Sequence, residues 1–248
     1  MAARLFVVHG SHPCAAVEAA MRTKGIEYSK VELPPPLHAP IQRVIFGKRT
    51  VPGLRLDGEK ISGSTAIMRR LDELVPEPAL YPAEPEARAL VQEAERWGDE
   101  VLQPLARRVL WPAMKARPDA APSYTVGAKL ALPGAVVKLG MPAISRVEER
   151  MNAASPQALA DDLRALPEHL DRIDAWIADG TIGGEEPNAA DLQIASSVRL
   201  LLTLSDLRPL IDDRPAGELA RRLFPDLPGD MPAGALPAEL VPAAGASA

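Results

Sequence analysis

The stretch Gly10-Ser11-His12-Pro13-Cys14 has the spacing of a redox C-x-x-C turn, with serine where the first cysteine would stand. It follows a short apolar run and precedes helical spacing, so Ser11 falls at a helix N-terminus. There the helix dipole and free amides favour negative charge. The plain alternative for Ser11 is a helix cap. Cys14 is the chain's one cysteine and cannot cycle through an intrachain disulfide. One turn into the helix it reads either as a small core hydrophobe or as a thiol exchanging with a small disulfide. His12 either adds positive charge beside Ser11 or is an idle turn residue. Ser64 and Thr65 open a later helix, and their amides make an anion site for a ligand carboxylate. Asn188 and Asp191 stand three apart before an apolar run. They read as a capping box, a structural role.

The bulk composition narrows the chemistry. The chain has 248 residues, 47% hydrophobic and 25% charged, with a net charge of −5 and only 4% aromatics. This suits one large or two small globular domains with aliphatic cores. Without a basic run, nucleic acid is excluded as a partner. A single cysteine and four histidines without metal-ligand spacing argue against a metal site. The reducing chemistry this implies, and an apolar start too short for a secretory signal, predict a cytoplasmic protein.

The elements that must position these residues are legible in outline. Leu5 to Val8 is a buried strand, Pro13 to Gly25 a helix, and "IEYSKVEL" a second strand, ended by Pro34-Pro35-Pro36. Together they form a βαβ unit. "PIQRVIFG" carries one or two helical turns. "VPGLRLDGEKISG" is a hairpin turning at Asp57-Gly58, and Ser64 caps a helix with Ile67, Leu71 and Leu74 on one face. The prolines of "VPEPALYPAEPE" mark a linker. A long helix follows, with Leu90, Ala94, Trp97, Val101 and Leu105 as its apolar stripe and a kink expected at Pro104. Another helix runs from Ser155 to Gly180. "NAADLQIASSVRLLLTL" is a buried central helix, and short helices are predicted near 207–211 and 217–223. The domains are read as 1–76, a linker at 77–86, an all-helical part at 87–224 with an apolar insertion at about 118–150, and a Pro/Ala/Gly tail at 225–248 that packs little.

This order resembles the cytosolic glutathione transferase family: a thioredoxin-like βαβ-ββα domain followed by an all-helical domain. Four stretches carry the resemblance: "SHPCAAVEAAMRTKGIEY", "TVPGLRLDG", "ISGSTAI" and "GGEEPNAADLQIA". It implies that Ser11 contacts the sulfur of a bound thiol, with His12 and Pro13 beside it. A two-unit fall in thiol pKa corresponds to about 2.7 kcal/mol and would leave a thiol of pKa about 8.5 mostly ionised at pH 7. The resemblance also implies a cis bond before Pro52, with Thr50 and Val51 offering backbone to a peptide-like thiol as an added strand. Gly63, Ser64 and Thr65 would hold the far end of glutathione. The family has an acid or Gln where this chain has Gly63, so another low-molecular-weight thiol remains open.

"YTVGAKLALPGAVVKLGMPAISRV" is apolar but broken by Pro133, Gly134, Gly140 and Pro142 and charged at Lys129, Lys138 and Arg146. These breaks and charges argue against a membrane span. The segment is expected to cover the cleft or pack there, with a membrane surface or a partner chain as the alternatives, and Trp111 and Met114 would line the same cleft. Three readings stand: a thiol transferase using Ser11, a non-catalytic scaffold of the same fold, and a Cys14-dependent thiol–disulfide reductase. The resemblance implies a homodimer.

Overall fold

The computed structural model describes residues 2–35, 37–129 and 132–243. Pro36 of the proline run, Leu130 and Ala131 of the apolar insertion, and the last five residues of the tail lie outside the described residues.

The apolar run near the start forms β1 (Ala3–Val7), and the helical spacing after it forms α1 (His12–Thr23), ended by Gly25 at φ +62°. The chain returns as β2 (Ser29–Glu32), parallel to β1. Helix α2 (His38–Phe46) fills the predicted short helical segment over nine residues. Strands β3 (Gly53–Leu56) and β4 (Glu59–Ser62) follow, giving the order β2-β1-β3-β4 with β3 antiparallel to both neighbours. Asp57 and Gly58 both have positive φ, as a two-residue hairpin turn requires. Helix α3 (Ser64–Leu74) begins one residue before the expected point: Gly63 occupies the N-cap, and the Ser64 side chain makes no capping bond. Leu5, Val17, Met21, Leu54, Ile67 and Leu71 are sealed between the sheet and α1 and α3. Lys24, buried at the end of α1, donates to Asp72 of α3 at 2.6 Å and to the carbonyls of Pro76 and Pro78, which fixes the linker.

Beyond the linker the predicted long helix is divided. Helix α4 (Pro85–Trp97) passes into a π-helical turn at Gly98–Leu102 and then into α5 (Gln103–Ala116). The break precedes Pro104, which lies in the first turn of α5. Proline cannot donate to the carbonyl four residues back and its ring crowds that carbonyl, so the turn before it widens. Leu90, expected on the apolar stripe, is exposed; Val91 and Ala94 face the core instead.

A 3-10 segment (Pro118–Thr125) leads to α6 (Gly134–Met151). Gly140 and Pro142 do not break α6 as expected. Its packing against α5 and the 3-10 segment carries the helix through a lost backbone bond. Helix α7 (Pro156–Ala178) is capped by Ser155, whose Oγ accepts from the Ala158 amide at 3.1 Å. Helix α8 (Ala189–Leu201) is the central, almost wholly buried helix, and it packs on α1, α4, α5 and α10 (Pro215–Leu223). Between α8 and α10 lies the single turn α9 (Arg208–Ile211).

The segment after Pro225 packs more than its composition suggested. Leu227, Met231, Ala235 and Leu236 are buried. Met231 bridges to Leu204, and Asp206 accepts the amides of Gly234, Ala235 and Leu236 at 2.7–2.9 Å. Part of the binding is through the tail's backbone amides, to which side-chain composition is blind. Among the described residues, no helix is long and apolar enough to cross a membrane.

Candidate active site

One cavity of about 450 Å³ lies between the two halves of the chain. The sheet side contributes Val8–Pro13, Glu32–Pro35, His38, Thr50 and Val51. The helical side contributes Arg107, Leu110, Trp111 and Met114 from α5, the Tyr124–Ala128 loop, and one stripe of α6. That stripe is Val137, Met141, Ile144 and Glu148, spaced four, three and four apart, which places them on one helical face. Part of the apolar insertion therefore lines the cavity, with Leu139 on the opposite, exposed face.

A strap holds the cover down. His9 Nε2 donates to the Val126 carbonyl at 2.8 Å, and the Glu32 carboxylate accepts the Lys129 amide at 2.7 Å. Lys129 Nζ reaches back to the Lys30 carbonyl at 3.2 Å. Tyr124 stands at the cavity wall. Its hydroxyl donates to Thr203 Oγ1 at 2.8 Å, since the Thr203 hydroxyl is itself spent on the Leu200 carbonyl. Gly10, at φ +73°, lets the Tyr124 carbonyl approach: a Cβ there would lie 3.2 Å from it.

The structure brings together Ser11, His12, Pro13, Thr50, Val51, Trp111 and Met114 on this cavity. Ser11 is the N-cap of α1, and its side chain makes no capping hydrogen bond to the helix backbone. The Val51-Pro52 peptide is cis. Pro52 is buried, and its carbonyl accepts the Gly63 amide at 3.0 Å. Gly63, Ser64 and Thr65 are not among the cavity's wall residues. The hydroxyls of Ser64 and Thr65, with that of Ser62, are sealed and unpaired at the start of α3. Gly63 sits at φ +96°, where an L side chain is strained although the space around it is open.

Cys14 does not reach the cavity. It is 1% exposed, and burial pushes its thiol up to about 12, only partly opposed by hydrogen bonding from the Ser11 side chain and the Val8 backbone. A thiol in that setting carries almost no thiolate at neutral pH. His12 is also buried, not an exposed turn residue. Its loss of solvent, with the Arg107 cation nearby, holds it well below the ordinary histidine pKa, so the ring is neutral.

Sequence reasoning missed most of the polar wall, including His9, Glu32 and Tyr124 and, deeper in, His38, Arg107 and Glu148. Burial lowers the pKa of His38 and raises that of Glu148, and it lowers that of Arg107 against the pull of Asp99. Arg107 donates to Gln103 Oε1 at 2.9 Å. No local signal marks these residues, since a lone charge on an amphipathic helix reads as solvent-facing. Among the described residues no cluster of three or more His, Cys, Asp or Glu side chains could hold a metal ion.

Residues 5–79 match the family described as "Glutathione S-transferase, N-terminal domain". No curated protein matches the chain. Solved structures share its fold over most of its length. The theta class glutathione S-transferase of Xanthomonas axonopodis pv. citri, with glutathione bound, is 20% identical with a TM-score of 0.62, over 90% of this chain and 92% of that one. The beta-etherase LigF of Sphingobium sp. strain SYK-6 is 19% identical with a TM-score of 0.60, over 91% and 99%. A glutathione S-transferase of Methylobacterium radiotolerans in complex with glutathione sulfonate is 18% identical with a TM-score of 0.60, over 91% and 92%. The first domain thus matches the N-terminal domain of the glutathione S-transferase family, and the chain over most of its length has the fold of the glutathione S-transferases it resembles.

Proposed function

We propose that the protein is a thiol transferase that joins a low-molecular-weight thiol, glutathione or a close analogue, to a hydrophobic electrophile. The observation that carries this reading is that Ser11, at the mouth of α1, and Val51, before the cis bond to Pro52, line the same largely apolar cavity. Residues 1–76 are taken as the thiol-binding unit and 87–224 as the electrophile-binding and dimer-forming unit, joined by the linker at 77–86. In this reading the Ser11 hydroxyl donates to the thiolate, with the α1 dipole adding to its stabilisation. Trp111, Met114 and the α6 stripe hold the electrophile, and the insertion excludes water. Positioning and thiolate stabilisation supply the rate. The relatives with bound glutathione or glutathione sulfonate favour glutathione as the thiol. A cytoplasmic homodimer accords with this chemistry.

One feature favours the second reading, a scaffold that kept the fold without the activity. Gly63 carries no side chain to hold an α-amino group, and the start of α3 stands outside the cavity wall. A Cys14-dependent reductase finds no support in so buried a thiol.

The test is a thermal shift with glutathione and other small thiols, followed by turnover of a chlorinated dinitrobenzene. A thiol at a hundred times its Kd stabilises by about 2.7 kcal/mol, a rise of roughly 5–11 °C for a chain of this size. Ser11→Ala should lower kcat/KM by about 10- to 100-fold near neutral pH and shift the thiol's ionisation to higher pH. A melting point unmoved by every thiol, with no turnover, leaves the scaffold reading.

A further inference from the structure

We propose that His38, positioned by Glu148, is a hydrogen-bond acceptor inside the apolar cavity that selects hydrophobic ligands carrying a hydroxyl or similar donor. The proposal rests on the reading above only in taking this cavity as the site of the hydrophobic partner.

His38 opens α2 on the sheet side, and Glu148 comes from α6 on the helical side. Both are more than nine-tenths buried, and both line the cavity. His38 Nδ1 is sealed from solvent without a hydrogen-bond partner and faces Glu148 Oε1 at 4.0 Å; that oxygen is likewise sealed and unpartnered. The separation is too long for a hydrogen bond. It is short enough, in a dry gap, for two facing lone pairs to repel, and the repulsion places the ring proton on Nδ1. Burial raises the Glu148 pKa above the usual carboxylate value, partly opposed by the Asn152 amide, which donates to Oε2 at 3.4 Å, and by Arg107. Burial keeps the His38 ring neutral by lowering its pKa. A neutral ring protonated on Nδ1 presents a lone pair at Nε2, the nitrogen left for the cavity. Much of the cavity wall is apolar, Leu110, Trp111, Met141 and Ile144 among it, so a ligand donor set against those side chains loses water without replacement. The site therefore discriminates between two ligands of one size by whether they donate.

The test pairs 1-naphthol with 1-methoxynaphthalene, which can only accept. Binding is read by tryptophan fluorescence, with Trp111 on the cavity wall. The expected result is that the wild-type preference for the naphthol over the ether falls about tenfold in His38→Phe, while the ether binds as well or better. Glu148→Leu, which removes the unpartnered Oε1 and, with Oε2, one long bond from the Asn152 amide, should reduce the same preference in part by freeing the tautomer. The ether affinity and melting point of each variant report its folding, and Glu148→Leu carries the test if His38→Phe does not fold. A preference unchanged within twofold in the folded variants overturns the proposal, as does a preference for the ether that reverses in His38→Phe. No thiol is present in this assay. A failed thermal shift with thiols beside an intact naphthol preference overturns only the thiol reading, and the reverse outcome overturns only this one.

Discussion

Glu95 of α4 is completely buried, and its carboxyl is pushed up to about 7, chiefly by burial. The Tyr81 hydroxyl donates to Oε1 at 2.7 Å, while Oε2 is sealed without a hydrogen bond and lies 3.6 Å from the half-exposed Arg69. A carboxyl whose folded pKa exceeds its unfolded value of 4.5 favours folding while protonated. Its contribution is fully present below about pH 4.5 and is lost as pH rises towards about 7. Linkage over that interval amounts to about 3 kcal/mol, of which about 2.5 kcal/mol falls between pH 5 and pH 8. Glu95→Gln keeps an acceptor for Tyr81 and cannot ionise. The variant should therefore gain on wild type by about 2.5 kcal/mol between pH 5 and pH 8, or roughly 5–10 °C in relative melting temperature. The assay is thermal unfolding of both proteins across this range, read as the difference between the two curves. That difference cancels the other titrating groups and any fixed cost of the new amide. Parallel curves would refute the reasoning, because they would mean that Glu95 ionises as readily inside the protein as in the unfolded chain.

Three further outcomes are expected. Asp191→Ala strips the acceptor from the amides of Asn188 and Gly183, now bonded at 3.0 and 2.7 Å, and should cost about 3 kcal/mol, or about 6–12 °C, without changing ligand affinity at the cavity; an unchanged melting point would show the capping box to be dispensable. Cys14 should resist a disulfide reagent at pH 8 in the folded protein and react once guanidinium is added, as its burial and raised pKa require; rapid stoichiometric labelling of the native protein would contradict this. Gly229→Ala would set a Cβ 2.4 Å from the Tyr124 ring at φ +126°, so it should lower stability by more than about 2 kcal/mol and weaken binding of hydrophobic ligands beside Tyr124; wild-type melting and affinity would show that the tail does not brace the cavity wall.

The sequence by itself determined the elements and the first half of the site. Leu5 to Val8, the Asp57-Gly58 turn, Ser155 and the Asn188–Asp191 box each specify local backbone through short-range chemistry, so strand, hairpin and helix starts are readable one window at a time. The place of Ser11 at a helix mouth is a local fact, whereas its role toward a thiol, and that of Val51, came only with the family resemblance. Local signals misled where packing overrules them, as at Pro142, which α6 absorbs, and at Leu90, which faces solvent. Only the tertiary structure decided that His38 and Glu148, 110 positions apart, face each other at 4.0 Å, and that His9 and Glu32 pin the loop over the cavity. A charged residue's meaning depends on what covers it, and covering is the sum of many weak contacts between distant segments, which no single stretch of sequence records.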